Sequence, residues 1–447
     1  MGALKGPDII RIFGEKQAEV EGHYLHWDEL RHRSPPAGLS HESWWLRLDT
    51  TRKASRVDLS LRDTTGTAFG VSNPDSVRRL LYTIDRDAAG RIEMPPIVSP
   101  ETRDRYVIAG LTEEAITSSQ LEGAATTRRV AKEMLRSNRR PTDAGEQMIF
   151  NNYLAMQWIR ERQAERPTPA ALFELHRILV TDTDAGHAAG RFRTDEDMVH
   201  VVDDDNGEIV HIPPPANQLP QRLDELCRFA TSEQQGGFIH PVVRAILMHF
   251  WLAFDHPFVD DNGRTARALF YWQMLRTGYW VTEFLSISKF LKMAPSPYYR
   301  SFLHVETTHD TTYFVLHQLG VMRQAIDDVF AYVRRTAEED RAVAAKLRAD
   351  VELNHRQRAL IARMLKHPLD AYTIEGHQRS HGVAYATARS DLLDLVERGW
   401  LEQRKVGRAF VFSPVADLEQ RLGQRPRRKV TGAGAGAGGR GRAKLRG

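Results

Sequence analysis

A single cysteine in 447 residues, Cys227, excludes an internal disulfide and suits a reducing compartment, so packing alone must hold the fold. No uninterrupted apolar stretch reaches the roughly 18 residues that a membrane span needs. The opening residues, Met1-Gly-Ala-Leu-Lys-Gly-Pro-Asp8, lack the apolar centre of a secretory signal. A cytoplasmic protein with no membrane partner is expected. Acidic residues are scarce after Gln403, where Arg404, Lys405, Arg408, Arg421 and further cations run on to Arg446. That asymmetry fits either a polyanionic partner at the C-terminal end or a solubilising tail. What is present is ordinary for a globular chain: 41% hydrophobic and 27% charged residues, with a net charge of +4. The length exceeds one ordinary core, so several domains are expected.

The fold class reads as mainly α. Residues 1–98 mix tryptophans (Trp27, Trp44, Trp45) with an alternating run, Arg56-Val-Asp-Leu-Ser-Leu-Arg62, and suggest a small α/β extension. Residues 99–335 are periodic at helical spacing over 105–135, 145–165, 169–181, 217–232 and 242–278. One hairpin interrupts them at 197–212: Asp197-Met-Val-His-Val-Val202, an Asp/Asn/Gly turn, then Glu208-Ile-Val-His-Ile212, stopped by three prolines. Residues 336–354 form a charged helical connector. Over 355–422, helices are expected at 357–365, 373–380 and 384–398, with Arg389 outward and Leu392, Leu393 and Val396 inward. Two strands then follow to Phe412. This resembles a winged helix-turn-helix, which binds DNA through its third helix and wing or serves as a protein-docking or dimer module. The Gly/Ala/Arg-rich tail, 423–447, cannot bury a core, and disorder is expected there.

The chemistry is concentrated in His256-Pro-Phe-Val-Asp-Asp-Asn-Gly-Arg-Thr-Ala-Arg267. It joins two helical stretches and opens into the N-terminus of the second, where unpaired N–H groups and the helix dipole favour an anion. Arg264 and Arg267, three apart, leave the first turn on neighbouring faces, as suits a polyphosphate. His256 supplies a base for a hydroxyl nucleophile. The segment also supplies a carboxylate for a metal. The backbone near Asn262 and Gly263 is suited to cradle phosphate oxygens, with glycine allowing the closest approach.

These residues resemble the signature of the Fic family, HPFx(D/E)GNGRxxR, with Asp261 where the family has glycine. The resemblance implies transfer of AMP from ATP, with Mg²⁺, to a hydroxyl side chain of a target protein. It implies His256 as base, Asp260 on the metal, Arg264 on the β-phosphate side and Arg267 on the γ-phosphate. The hairpin would be the flap that aligns the target segment. Flap residues Val199, His200, Val201 and Val202 would close over the nucleotide, and Tyr298, Tyr299 and 307–310 would lie near adenine. The Asp261 carboxylate repels a polyphosphate, points to solvent, pairs with Arg264 or joins the metal shell; the sequence leaves these open. A second segment, Ser118-Ser-Gln-Leu-Glu122-Gly123, resembles the family's inhibitory helix motif, (S/T)xxxE(G/N), near 111–124. It implies that Glu122 pairs with Arg267 and holds ATP out.

Three rivals stand beside this reading. A metal-dependent phosphohydrolase would gather His240, His249, His256 and His309-Asp310. An enzyme of reversal would remove AMP from a target, with Glu122 orienting water. A DNA-binding regulator would use the core only to sense nucleotide. The target, the acceptor residue and the oligomeric state, a homodimer included, stay open.

Overall fold

A computed structural model describes residues 17–88, 100–137, 139–202, 207–231, 237–349, 353–366, 372–406, 409–415 and 417–421. The expected tail at 423–447, the hairpin turn at 203–206 and Arg408 lie outside the described residues. The chain divides into two compact units, Met1–Ala331 and Tyr332–Gly447. Among the described residues no helix is long and apolar enough to cross a membrane, and Cys227 is a free thiol.

The first unit opens with α1 (Trp27–Leu30), α2 (His41–Ser55), the antiparallel pair β1 (Val57–Arg62) and β2 (Ala68–Val71), and α3 (Asp75–Ala88). This segment, read from sequence as a small α/β extension, belongs to the same compact unit as the helices that follow. Phe69 meets Phe250 and Phe254 edge-on at 5.7 and 5.0 Å. Gly70 exchanges backbone hydrogen bonds with the stretch after Thr308, its N–H reaching His309 O at 3.0 Å and its C=O accepting from Thr311 at 2.9 Å. The Tyr24 hydroxyl donates to Asp310 at 2.6 Å. A two-stranded ribbon is too small to be stable alone, so its apolar face is buried against a neighbour.

Then come α4 (Pro100–Leu121), α5 (Arg128–Ser137), α6 (Ala144–Glu161) and α7 (Pro169–Val180). The helix expected across 105–135 is broken. Gly123, at φ 93°, takes the left-handed conformation that only glycine adopts without strain. Ala124 N–H then reaches Ser119 O at 3.0 Å, and Gly123 N–H reaches Gln120 O at 3.3 Å. That is a Schellman stop, and it leaves Glu122 at the helix end. The start of α6 is capped by Asp143, which accepts from Glu146 N–H at 2.8 Å.

The hairpin is shorter than expected: β3 is Val201–Val202 and β4 is Ile209–His211, paired antiparallel with an irregular register. Residues 195–197 form a 3₁₀ turn instead of strand, because Thr194 and Asp197 cap each other reciprocally. After α8 (Leu219–Phe229) come α9 (Pro241–Asp255) and α10 (Asn262–Arg276). Both are buried on nearly all sides and form the centre of the unit. Further on are α11 (Ile287–Met293), α12 (Pro295–Thr308) and the first part of the long α13 (Thr312–Ala349).

The second unit contains α14 (His355–Lys366), β5 (Tyr372–Thr373), α15 (Ile374–His381), α16 (Tyr385–Glu397), β6 (Leu401–Val406), β7 (Ala409–Pro414) and α17 (Leu418–Arg421). Its three-stranded sheet has the order β5-β7-β6. Ile361, Met364, Leu392, Leu395, Trp400 and Phe412 form its core, with Arg389 exposed. Buried Asp391 ties its helices together, accepting from Asn354 and Arg356 beside His377.

Candidate active site

The central turn joins α9 to α10, and its geometry follows from two left-handed residues. His256 ends α9 at φ 46°, and Asp261 precedes α10 at φ 62°. Asparagine and aspartate tolerate that region better than most residues, so the Asp261 backbone keeps the shape glycine would give. Just after Asp261, Asn262 clips the loop shut: its Oδ1 accepts from Phe258 N–H and its Nδ2 donates to Phe258 O, both at 2.9 Å. Phe258 is fully buried and stacks on the His176 ring, centroids 3.9 Å apart. His176 Nε2–H donates to Asp260 O at 3.1 Å, and its Nδ1 accepts from Gly190 N–H. Burial pushes His176 down to about 4, so it serves as a neutral strut. Neither this role of His176 nor the clip made by the Asn262 side chain is visible in the sequence.

His256 is half-buried. Its Nδ1 lies 3.1 Å from Ala253 O. A carbonyl only accepts, so Nδ1 carries the proton and Nε2 keeps a lone pair for a substrate proton. Burial, against the Ala253 contact, pushes its pKa down to about 4. Arg193 fixes this end of the loop, donating through Nε to His256 O at 2.7 Å and through Nη2 to Pro214 O at 2.5 Å, while its N–H reaches Pro257 O. The two ends of the hairpin are thereby tied to the base. Asp260 is exposed, and one of its oxygens accepts from Asp261 N–H at 2.7 Å.

Arg267 is 1% exposed and meets Glu122 Oε1 at 2.8 Å. Its Nε donates to Ser118 Oγ at 2.9 Å and its Nη2 to Ser118 O at 3.1 Å. A Cβ at Gly263 would collide with the Glu122 carboxylate. The absence of a side chain there is what lets an anion lie against the first turn of α10. Arg264 is different. It is 1% exposed, and Nε donates to Asp261 Oδ1 at 2.6 Å while Nη2 pairs with Oδ2. Nη1 donates to Met148 O at 3.1 Å. Of the alternatives open for Asp261, the pair with Arg264 is the one formed.

The remaining sequence-derived positions lie in differing surroundings. Tyr298 is buried, hydrogen-bonded to His249 Nε2 at 3.0 Å, with the Arg267 charge acting on its hydroxyl. Tyr299 is exposed, Val199 and Val201 are half-buried, and His200 and Val202 are exposed. Hairpin residue His211, unassigned from sequence, reaches Phe254 O at 2.7 Å and Glu306 at 3.0 Å. Asp310 is committed to Tyr24 and belongs to the core contacts of the N-terminal segment.

The phosphohydrolase ligand set is not assembled. His240 pairs with Asp85, His249 with Tyr298 and His309 with Asp63. Among the described residues, His26, Asp28 and His304 form the group close enough to hold a metal ion. The two rings lie stacked at 3.8 Å and 16°, and His26 Nδ1 and His304 Nε2 both face Asp28 Oδ2, at 3.2 and 3.4 Å.

The model of the Fic/DOC family matches residues 166–274. The chain is 34% identical to "Protein adenylyltransferase Fic" of Drosophila mojavensis over 133 residues, 29% of this chain and 24% of that protein. Its counterpart in Nematostella vectensis is 32% identical over 122 residues, 26% of this chain and 25% of that protein. The chain thus spans about a quarter of the length of these curated relatives. A Fic family protein from Desulfovibrio desulfuricans G20 shares the fold at a TM-score of 0.50 and 19% identity, over 77% of this chain and 97% of that one. The segment that carries His256, the anion-binding turn and both arginines lies within the 166–274 stretch that is similar to the Fic/DOC family.

Proposed function

We propose that this chain transfers AMP from ATP to a hydroxyl side chain of a protein and that Glu122 holds the reaction off. The observation that carries this is the Glu122 carboxylate on Arg267, over Gly263, where α10 offers its N–H groups to an anion. A polyphosphate and Glu122 compete for that position. With Glu122 displaced, Arg267 and the amides of the turn bind the phosphates, and the target hydroxyl lies against His256. Nε2 takes the hydroxyl proton as the oxygen attacks the α-phosphorus. The bond from the α-phosphorus to the bridging oxygen breaks, and pyrophosphate leaves. Asp260 is exposed and has one carboxylate oxygen used by Asp261 N–H, which fits one-carboxylate binding of Mg²⁺ through the other. When bound, Mg²⁺ neutralises phosphate charge.

The target docks on the hairpin. Supporting this, Met198 and Ile212 are 74% and 64% exposed, with Val202 and Ile209 exposed beside them, an apolar ribbon suited to an extended peptide. The second unit, with its helices, three-stranded sheet and exposed Arg389, Arg404 and Lys405, supports a winged helix-turn-helix that contacts DNA. A gel-shift with and without ATP tests that contact. Removal of AMP from a modified target is the second reading, because the Glu122 charge acts on His256 and so reaches the reacting region. Incubation with a pre-modified protein tests it.

For transfer, Glu122→Gly is incubated with ATP and Mg²⁺ and analysed by mass spectrometry. Auto-modification by the mass of AMP is expected to rise roughly tenfold or more over the parent, as loss of a charge-assisted contact implies. His256→Ala is expected to lower it by about 10²- to 10⁴-fold in either background. No adduct in Glu122→Gly would sink the reading.

A further inference from the structure

Arg264 stands in the first turn of α10, beside N–H groups that have no partner within the helix. A guanidinium there would ordinarily grip an anion with two parallel N–H groups. In this chain the prongs formed by Nε and Nη2 are filled from within by Asp261, and Nη1 is given to Met148 O. Both side chains of the pair are buried, at 1% and 4% exposure. We propose that Asp261 is a specificity-determining residue: by holding Arg264 in an internal ion pair, it withdraws one guanidinium from the polyphosphate subsite and lowers the preference of the site for ATP over AMP. This rests on the nucleotide reading above.

The physical argument is one of competition. For Arg264 to turn to a phosphate, the Asp261 carboxylate would be left buried, unpaired and next to an incoming polyanion, a state that costs more than the new contact returns. The pair therefore persists when Glu122 leaves. Clearing Glu122 frees Arg267 alone. The left-handed backbone at Asp261 makes the proposal cleanly testable, because glycine adopts φ 62° without strain and the N–H of the turn is unchanged.

The test is calorimetric titration with ATP and with AMP, in Mg²⁺, of a full-length chain carrying Glu122→Gly and His256→Ala to clear Arg267 and prevent turnover. Adding Asp261→Gly is expected to tighten ATP roughly tenfold or more and to leave AMP nearly unchanged. Asp261→Asn, which keeps the side chain but not its charge, is expected to give part of that gain. Adding Arg264→Gln to the glycine variant is expected to abolish the gain. Equal ATP affinity with and without Asp261, or an equal gain for AMP, overturns the proposal. So does a gain that survives Arg264→Gln, which would mean that the carboxylate repels nucleotide directly. If ATP binds none of these chains, the nucleotide reading itself falls and takes this one with it.

Discussion

His256 shows how much a single residue owes to its surroundings. Its type and place were legible in the sequence, but its tautomer comes from Ala253 O, and its neutral state comes from burial. With the pKa pushed down to about 4 from 6.5, the free base is present throughout the neutral range. For the Glu122→Gly chain, kcat/KM for transfer is expected to be flat from about pH 6 to 8, with its acid limb well below the 6.5 of an ordinary histidine. A limb centred near 6.5 would refute the burial argument. The Asn262 side chain was not legible in the same way. The sequence placed only the backbone near Asn262 among the phosphate contacts, and both polar atoms of its side chain close the loop on Phe258.

In the proposed mechanism control depends on helix α4, and two of its anchors carry no motif. Glu114 is buried and accepts from the Tyr271 hydroxyl at 2.8 Å, Ser286 Oγ at 3.0 Å and Ser288 N–H at 3.1 Å. Burial raises its pKa, while the donors oppose the rise. Gly110 lies against the backbone of Phe284, which a Cβ would meet at 2.7 Å. That neighbour is main chain and cannot swing aside, so Gly110→Ala must push α4 outward. A destabilisation of about 1–3 kcal/mol is expected, as for overpacking, together with more auto-modification in a chain that retains Glu122. Thermal denaturation and labelled-ATP incorporation measure the two effects. A destabilised variant with unchanged labelling would show that α4 position does not control the site. The helix stop at Gly123 was legible only as one letter of a motif. Its work is conformational, because it ends α4 where Glu122 can face Arg267.

Across the whole molecule, several histidines are held neutral by full or partial burial: His176, His256, His304 and His317 are all pushed down to about 4. Between about pH 6.5 and 4 the unfolded chain binds protons that the folded chain does not, so stability falls as pH falls through that window. Asp255 and Asp261, pushed up to about 6 by burial, act in the opposite sense and offset part of the loss. Denaturation midpoints are therefore expected to drop from pH 7 to 5, and a midpoint that rises would contradict the burial of these rings. At this scale the sequence by itself determined the helical class, the position of the helix–turn–helix pair around His256 and the kinds of chemical group available. Those properties depend on residues within one or two turns of each other. Tertiary structure decided the partners. The β1–β2 ribbon became part of the core because Phe69 packs on α9 and Gly70 pairs with the stretch after α12. Arg264 and Arg267 share a helix turn and a charge, yet one is held by a neighbour three residues away and the other by Glu122, far along the chain. Local spacing sets where a guanidinium begins, and the fold sets which carboxylate reaches it first.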